Sequence, residues 1–137
     1  MGPLADQKVC LDTTVLIDVL RDERDAVGKV RELREQGWDL HTTSVNAFEL
    51  YTGAYLTNPV RRIPQVEGIL GEMMILTLTS KEAKEAGTLF AELQRRGEKV
   101  EIRDVLIAGT ILNNACHNIL TRNVEFRRFR SIHVLSY

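Results

Sequence analysis

The sequence predicts an α/β domain with a central, mainly parallel sheet that carries helices on both faces. Short apolar runs alternate with longer segments of helical periodicity, as in chains built from strand–helix–strand units. The first run, Val9-Cys10-Leu11, is apolar on both faces of a strand, which is typical of a buried central strand. At 137 residues and 44% hydrophobic, the chain has enough apolar material for one domain core.

The elements follow one another in a regular order along the chain. Strands are predicted near residues 9–11, 38–42, 73–78, 117–121 and 132–135, with a helix in most of the intervals between them. Gly37 and Gly97 are expected to end helices, and Asn58-Pro59 separates two of them. The helix over 60–70 is expected to be interrupted at Pro64. Residues 1–7 show no periodicity and are expected to form a flexible N-terminus, so that 8–137 form a single domain.

Composition narrows the possible functions. With a net charge of −1, the protein as a whole does not attract the phosphates of a nucleic acid. Binding of a nucleic acid would therefore depend on local basic patches or on a bound cation. Cys10 and Cys116 lie far apart in the sequence, each among apolar residues. We therefore expect both to be small buried residues of a protein in a reducing compartment. The sequence contains no apolar run of membrane-spanning length, and a cytoplasmic protein without a membrane partner is expected.

Acidic residues occur at unusual places in this pattern. Asp12 follows the first strand, Glu49 lies in the helix after the second, and Asp104 opens an almost wholly apolar helix before the fourth. Asn123 follows the fourth strand, with Glu125 close behind it. In a parallel sheet with right-handed crossovers, these segment ends gather at the same edge. We therefore expect the side chains to lie close together.

A cluster of carboxylates requires a compensating positive charge. Two carboxylates 4 Å apart repel each other by about 4 kcal/mol at an effective dielectric constant of about 20. A set of oxygen ligands without cysteine or paired histidine suits Mg²⁺ or Mn²⁺ better than Zn²⁺. Such ions are the usual apparatus for phosphodiester hydrolysis. The pattern therefore predicts a metal site with nuclease chemistry.

Each acid also has an ordinary structural interpretation. Asp12 and Asp104 both stand where an aspartate commonly caps a helix, and Thr13 and Thr14 can also cap the first helix. Glu49 on its own suits a partly buried helix acid that is paired with an arginine. The three acids together, each in its expected place, favour the metal site over these separate explanations.

An ordered set of four segments resembles the PIN domain, and the length and order resemble the VapC-type toxins of toxin–antitoxin pairs. The segments cover residues 11–17, 44–50, 104–110 and 120–123. This resemblance implies a three-layer α/β/α fold in which Asp12, Glu49 and Asp104 hold Mg²⁺ or Mn²⁺. It also implies that hydroxyl groups near the metal support the site by hydrogen bonding, and the candidates are Thr13, Thr14 and Thr121.

The resemblance carries a function with it. It implies a metal-dependent endoribonuclease that hydrolyses RNA phosphodiester bonds and acts as a toxin. A small cognate antitoxin would silence it by folding on the toxin and presenting a basic side chain to the acid pocket. A homodimer formed through the early helices is also implied.

The fourth catalytic position departs from the family pattern. Many relatives carry aspartate where Asn123 stands, while others carry asparagine followed by an acid before phenylalanine, as in Glu125-Phe126. Which of Asn123 and Glu125 completes the catalytic set therefore stays open, as does the number of metal ions. This departure also leaves room for a degenerate PIN module that binds RNA or a protein without cutting.

Two further features bear on function. A phosphotransfer domain would also place an aspartate at a strand end, but dehalogenase-like phosphatases need a second aspartate where Thr14 stands. Receiver domains need an acid pair and a lysine that the chain does not offer. Contacts to RNA phosphates are possible for several arginines, namely Arg61, Arg62, Arg95, Arg96, Arg122, Arg127, Arg128 and Arg130.

Overall fold

A computed structural model describes residues 7–137 as a five-stranded sheet covered by helices. The strands are β1 (Lys8–Leu11), β2 (Asp39–Thr43), β3 (Met74–Leu76), β4 (Asn118–Leu120) and β5 (His133–Leu135). Their order is β3-β2-β1-β4-β5, and all four pairings are parallel. The predicted α/β class is confirmed, and the first apolar run forms the central strand. Most of the predicted flexible terminus lies outside the described residues, although the Gln7 carbonyl accepts a hydrogen bond from the Asp39 amide.

Six helices connect the strands. They are α1 (Thr13–Leu20), α2 (Arg24–Glu35), α3 (Ser44–Thr57), α4 (Pro59–Leu70), α5 (Ser80–Arg95) and α6 (Ile102–Asn113), and a 3₁₀ helix (Val124–Arg128) precedes β5. Gly37 and Gly97 follow α2 and α5 with φ of +84° and +71°, as expected of glycines that end helices. The expected interruption at Pro64 is wrong, because α4 runs through it. Val60, whose carbonyl loses its helical partner at Pro64, is 88% exposed and can be solvated there.

The sheet separates two apolar cores, which makes the fold a three-layer α/β/α sandwich. The first core lies against α5, α6 and the 3₁₀ helix, and the second core lies against α1 to α4. β1 contributes Cys10 to the first core and Val9 and Leu11 to the second, and β4 divides Ile119 and Leu120 in the same way. Because successive side chains of a strand point to opposite faces of the sheet, β1 and β4 each contribute residues to both cores.

The pair α5 and α6 is packed unusually closely. A Cβ at Gly109 would lie 2.6 Å from the Cα of Ala86, so only glycine allows this approach. The helical spacing of Ala83, Ala86, Gly87, Phe90 and Leu93 predicts a close-packing face on α5. This prediction is partly wrong, since Ala83 and Gly87 are exposed. Glu82 is buried instead, and its carboxylate accepts hydrogen bonds from Asn113 and Asn114 at the end of α6.

The carboxyl ends of β1, β2 and β4 meet at one edge of the sheet. The Asp12 amide donates to the Leu120 carbonyl over 3.0 Å, which carries the β1–β4 pairing one residue past the strand. The Thr42 hydroxyl donates to the Leu11 carbonyl over 2.9 Å. These bonds fix the positions from which the acidic side chains project.

None of the helices in the described residues combines the length and the hydropathy that a membrane span requires.

Candidate active site

Asp12 lies at the centre of this edge and is fully buried. Its Oδ1 accepts a hydrogen bond from Asn46 Nδ2 over 2.9 Å, and its Oδ2 accepts one from the Thr121 hydroxyl over 2.7 Å. Asp12 occupies the N-cap position of α1, but its side chain makes no capping hydrogen bond. Thr13 and Thr14 are the first helical residues and do not cap the helix either. The carboxylate is therefore held for contacts across the sheet edge.

Glu49 approaches the same point from α3. That helix begins with a capping box in which Thr43 and Asn46 bond each other reciprocally. Because residues three apart share a helix face, Asn46 and Glu49 both project towards the start of α1, where each contacts Thr13. The Thr13 hydroxyl donates to Glu49 Oε1 over 2.7 Å, and the Glu49 side chain keeps 27% of its surface exposed. Glu49 therefore forms the open side of the cluster.

Asp104 forms the third side. It is the third residue of α6, whose N-cap is Glu101, so the capping interpretation of Asp104 is wrong. Asn123 Nδ2 lies 3.3 Å from Asp104 Oδ2 and 3.5 Å from Oδ1. Burial raises the pKa of Asp104, although the charge of Arg103 and the hydrogen bond from Asn123 act in the opposite direction.

Arg103 was not predicted to belong to the site, yet its guanidinium lies among all three carboxylates. Nε and Nη2 donate to the two oxygens of Glu49 over 2.7 and 2.6 Å. Nη1 donates to Asp104 Oδ1 over 2.5 Å, and Nη2 to Asp12 Oδ1 over 3.3 Å. Burial disfavours the charged guanidinium, but the Glu49 hydrogen bonds and the three acidic charges outweigh this and raise the pKa of Arg103.

The supporting threonines are also at the site. Thr14 Oγ1 lies 3.3 Å from Thr121 Oγ1, and the Asn123 amide donates to the Thr121 hydroxyl over 2.9 Å. Thr13 accepts a hydrogen bond from Asn46 Nδ2 over 3.0 Å while donating to Glu49. The hydroxyl groups of Thr13 and Thr14 therefore connect Glu49 of α3 and the segment that follows β4 to the start of α1, beside Asp12.

Glu125 is not brought to the cluster. It is half-exposed, and its carboxylate pairs with Arg128 Nε over 2.7 Å. The 3₁₀ helix begins at Val124 and buries Phe126 in the first core, which turns Glu125 towards solvent. Asn123 takes the fourth place instead: its Oδ1 accepts from the Glu125 amide, while its Nδ2 reaches Asp104.

The donor chemistry and the present spacing point to different cations. The acidic side chains at the centre, those of Asp12, Glu49 and Asp104, offer carboxylate oxygens as ligands, which Mg²⁺ and Mn²⁺ prefer. However, among the described residues no group of three or more His, Cys, Asp and Glu side chains is arranged to hold a metal ion. The three carboxylates instead contact the guanidinium of Arg103, with N···O distances of 2.5 to 3.3 Å. The residue types fit the metal, and the present spacing fits the arginine.

The other arginines are distributed over several surfaces. Arg122 Nε pairs with Asp18 at 3.0 Å, and Tyr137 also donates to that carboxylate. A cavity of about 460 Å³ lies between α5 and the segment before β5 and is lined by Arg95, Arg96, Arg128 and Arg130. Contacts of these side chains with RNA stay a prediction.

A groove between α1, α3 and α4 opens beside Glu49. Its volume is about 180 Å³. Apolar side chains line most of it, and Arg21, Glu49, Arg62 and Gln65 provide polar groups. The groove therefore reaches the open side of the acid cluster.

The comparison with protein families agrees with this architecture. The family model of the PIN domain matches residues 9–132, and the chain belongs to this family. The resemblance predicted from the four sequence segments is thereby confirmed.

Individual relatives carry VapC names. The chain is 28% identical over 99 residues to Ribonuclease VapC3 of Methanocaldococcus jannaschii, covering 72% of this chain and 93% of that protein. It is 29% identical over 122 residues to the tRNA(fMet)-specific endonuclease VapC of Shigella flexneri, covering 88% of this chain and 91% of that protein.

Solved structures show the same fold. DNA-bound VapBC of Salmonella typhimurium matches with a TM-score of 0.83 at 27% identity, covering 94% of this chain and 97% of that one. VapBC2 of Rickettsia felis, bound to a DNA fragment from its promoter, also gives a TM-score of 0.83, at 20% identity, and covers 95% of this chain and 98% of that one.

Proposed function

We propose that this chain is an endoribonuclease that hydrolyses RNA phosphodiester bonds with the help of Mg²⁺ or Mn²⁺. The observation that carries the proposal is the convergence of Asp12, Glu49 and Asp104 at one sheet edge in a PIN-domain protein. The names of the relatives, a ribonuclease and a tRNA endonuclease, support RNA as the substrate.

In this proposal the three acids hold the cation and Asn123 completes the set. A bound divalent cation would supply the positive charge that stabilises the negative charge developing on the phosphate. Thr121 and Asn46 hold the two oxygens of Asp12 in place, and Asn123 does the same for Asp104. Because Glu125 lies apart, we expect it to have no catalytic role and the site to take one cation.

The proposal includes a role as the toxin of a toxin–antitoxin pair. The similar structures are described as VapBC and toxin–antitoxin complexes. The groove beside Glu49 suits an apolar segment of a small antitoxin, which could present a basic side chain to the acids.

The proposal also includes a homodimer. Several large apolar side chains are exposed on α3 and at the start of α4, namely Phe48, Tyr55, Leu56 and Val60. A second copy of the chain would bury them, which agrees with the expectation that the early helices form the dimer.

The test is RNA cleavage by the purified chain with Mg²⁺, with Mn²⁺ and with EDTA. Cleavage should require the cation and should fall at least about 100-fold in Asp12→Asn, since even groups that only orient metal ligands are worth about 10–100-fold. Asp25→Asn, on the exposed surface of α2, is the matched control and should cut normally. Once a contaminating nuclease has been excluded, equal cleavage by Asp12→Asn and Asp25→Asn would refute the proposal, because RNA hydrolysis would then not depend on Asp12.

A second candidate function is a PIN module that binds RNA without cutting it. The observation in its favour is the arginine that occupies the acid cluster, together with an asparagine at the fourth position. Such a module would retain RNA on a filter or column in EDTA and would leave it intact at any concentration of Mn²⁺.

A further inference from the structure

The acid cluster is already neutralised in part by a group of the chain itself. Arg103 donates to Glu49 through two nitrogens and reaches Asp12 and Asp104 with the same guanidinium. Planar guanidinium groups match paired carboxylates in this way, while an ammonium acts only as a point charge. The contacts therefore form one connected arrangement.

Arg103 contacts at least one oxygen of each carboxylate in the cluster. Asp12 Oδ1, Glu49 Oε1 and Asp104 Oδ1 each have a guanidinium nitrogen as their partner. A divalent ion that binds these three oxygens would lie where the guanidinium lies, and its charge would repel the arginine at close range. Both positive groups cannot contact the three oxygens at once.

Arg103 lies on the solvent-exposed side of the acid cluster, next to Glu49. Its side chain keeps 27% of its surface exposed, and so does that of Glu49, whereas Asp12 and Asp104 are almost completely covered. The arginine can therefore move outwards past Glu49 without any change in the positions of the two aspartates.

We propose that Arg103 is an internal counter-ion that exchanges with the divalent cation, so that metal binding requires the guanidinium to leave the acid cluster. This inference rests on the metal site of the proposed function, but it does not depend on RNA cleavage. The arginine-free form is then a minor state in the absence of metal, and the apparent dissociation constant is the intrinsic one divided by the population of that form.

The test is calorimetric titration of Mn²⁺ into the wild-type chain, Arg103→Gln and Arg31→Gln. If the arginine-free form is populated at about 10% or less, Arg103→Gln should bind Mn²⁺ about tenfold tighter or more. Arg31→Gln removes the same charge from the exposed surface of α2 and should bind as the wild type does. Without metal, Arg103→Gln should also melt at a lower temperature, because the three carboxylates lose their counter-ion.

Equal or weaker Mn²⁺ binding by Arg103→Gln would overturn the proposal, since it would mean that the arginine does not compete with the metal. If that variant does not fold, the wild-type chain decides the question through the ¹⁵N resonance of Arg103 Nε, assigned with Arg103→Lys. Saturating Mg²⁺ should shift this resonance to that of a free guanidinium, and an unchanged resonance would overturn the exchange. Tight metal binding without RNA cleavage would refute the proposed function and leave the exchange intact.

Discussion

Asn46 connects the start of α3 to the buried carboxylate of Asp12. Its Oδ1 accepts from the Thr43 amide and hydroxyl, and its Nδ2 donates to Asp12 and Thr13. The residue is fully buried. One amide therefore satisfies a helix terminus and an acid that water does not reach.

Asn46→Ala should lower the free energy of unfolding by about 2–4 kcal/mol, because it removes both a bond of the capping box and one of the donors to a buried carboxylate. The measurement is urea unfolding at pH 7 without metal. Asn58→Ala is the control, because Asn58 also caps a helix but is exposed. Equal losses in the two variants would show that the hydrogen bond to Asp12 contributes nothing.

Some site residues could be predicted from the sequence and others could not. The rule that parallel strands place their ligands beyond their carboxyl ends gave the location of Asp12 and Asn123, and the order of the segments gave Glu49 and Asp104. Arg103 could not be predicted, because an arginine beside an aspartate at a helix start is usually solvated. Its position directly before Asp104, at the start of a buried helix, was the available signal. Asn46 could have been recognised as the partner of Thr43 in the capping box.

At the scale of elements, α6 carries both Arg103 and Asp104 and is positioned by α5. Gly109 makes this close contact possible, since a methyl group there would lie 2.6 Å from Ala86 atoms. The geometry of the acid cluster thus depends on a contact between helices that holds no functional group.

Gly109→Ala should destabilise the fold by about 1–3 kcal/mol, because the two helices must separate. Gly87→Ala is the matched control: it lies on the exposed face of α5 with nothing within 4 Å of an added Cβ. That variant should gain about 0.5–1 kcal/mol from the better helix propensity of alanine. The two free energies of unfolding, measured in urea, should therefore change in opposite directions, and a loss in both would contradict the packing argument.

The order of strands and helices could be predicted, because strand and helix periodicities alternate clearly along the chain. The buried face of α5 could not, since Ala83, Ala86 and Gly87 are all small and Glu82 offers no apolar signal. Glu82 is buried because Thr79 and the two asparagines at the end of α6 supply donors to it. Its hydrogen bonds lower the pKa of Glu82 to about 2.

At the scale of the whole molecule, the central strands join the two cores into one unit. β1 and β4 each place residues in both cores, so neither core can lose its packing while the other keeps it. We therefore expect a single cooperative unfolding transition.

Ile107→Ala tests this expectation from the first core. Ile107 is fully buried, and the substitution should cost about 2–5 kcal/mol. The only tryptophan in the chain, Trp38, packs against the second core, so its fluorescence reports on the opposite face of the sheet. The fluorescence transition in urea should shift together with far-UV circular dichroism. If the fluorescence midpoint stayed in place while the circular dichroism midpoint fell, the cores would be independent.

The double restraint on Asp12 also has an entropic consequence. Its carboxylate is fixed by donors from α3 and from the segment after β4, so its rotamer freedom is already lost when the chain folds. A ligand that binds Asp12 need not order it again. Glu49 differs, because its partners are one threonine and the arginine, and it regains freedom whenever the arginine leaves. The cluster therefore combines a preorganised half with an adaptable half, and the adaptable half faces solvent.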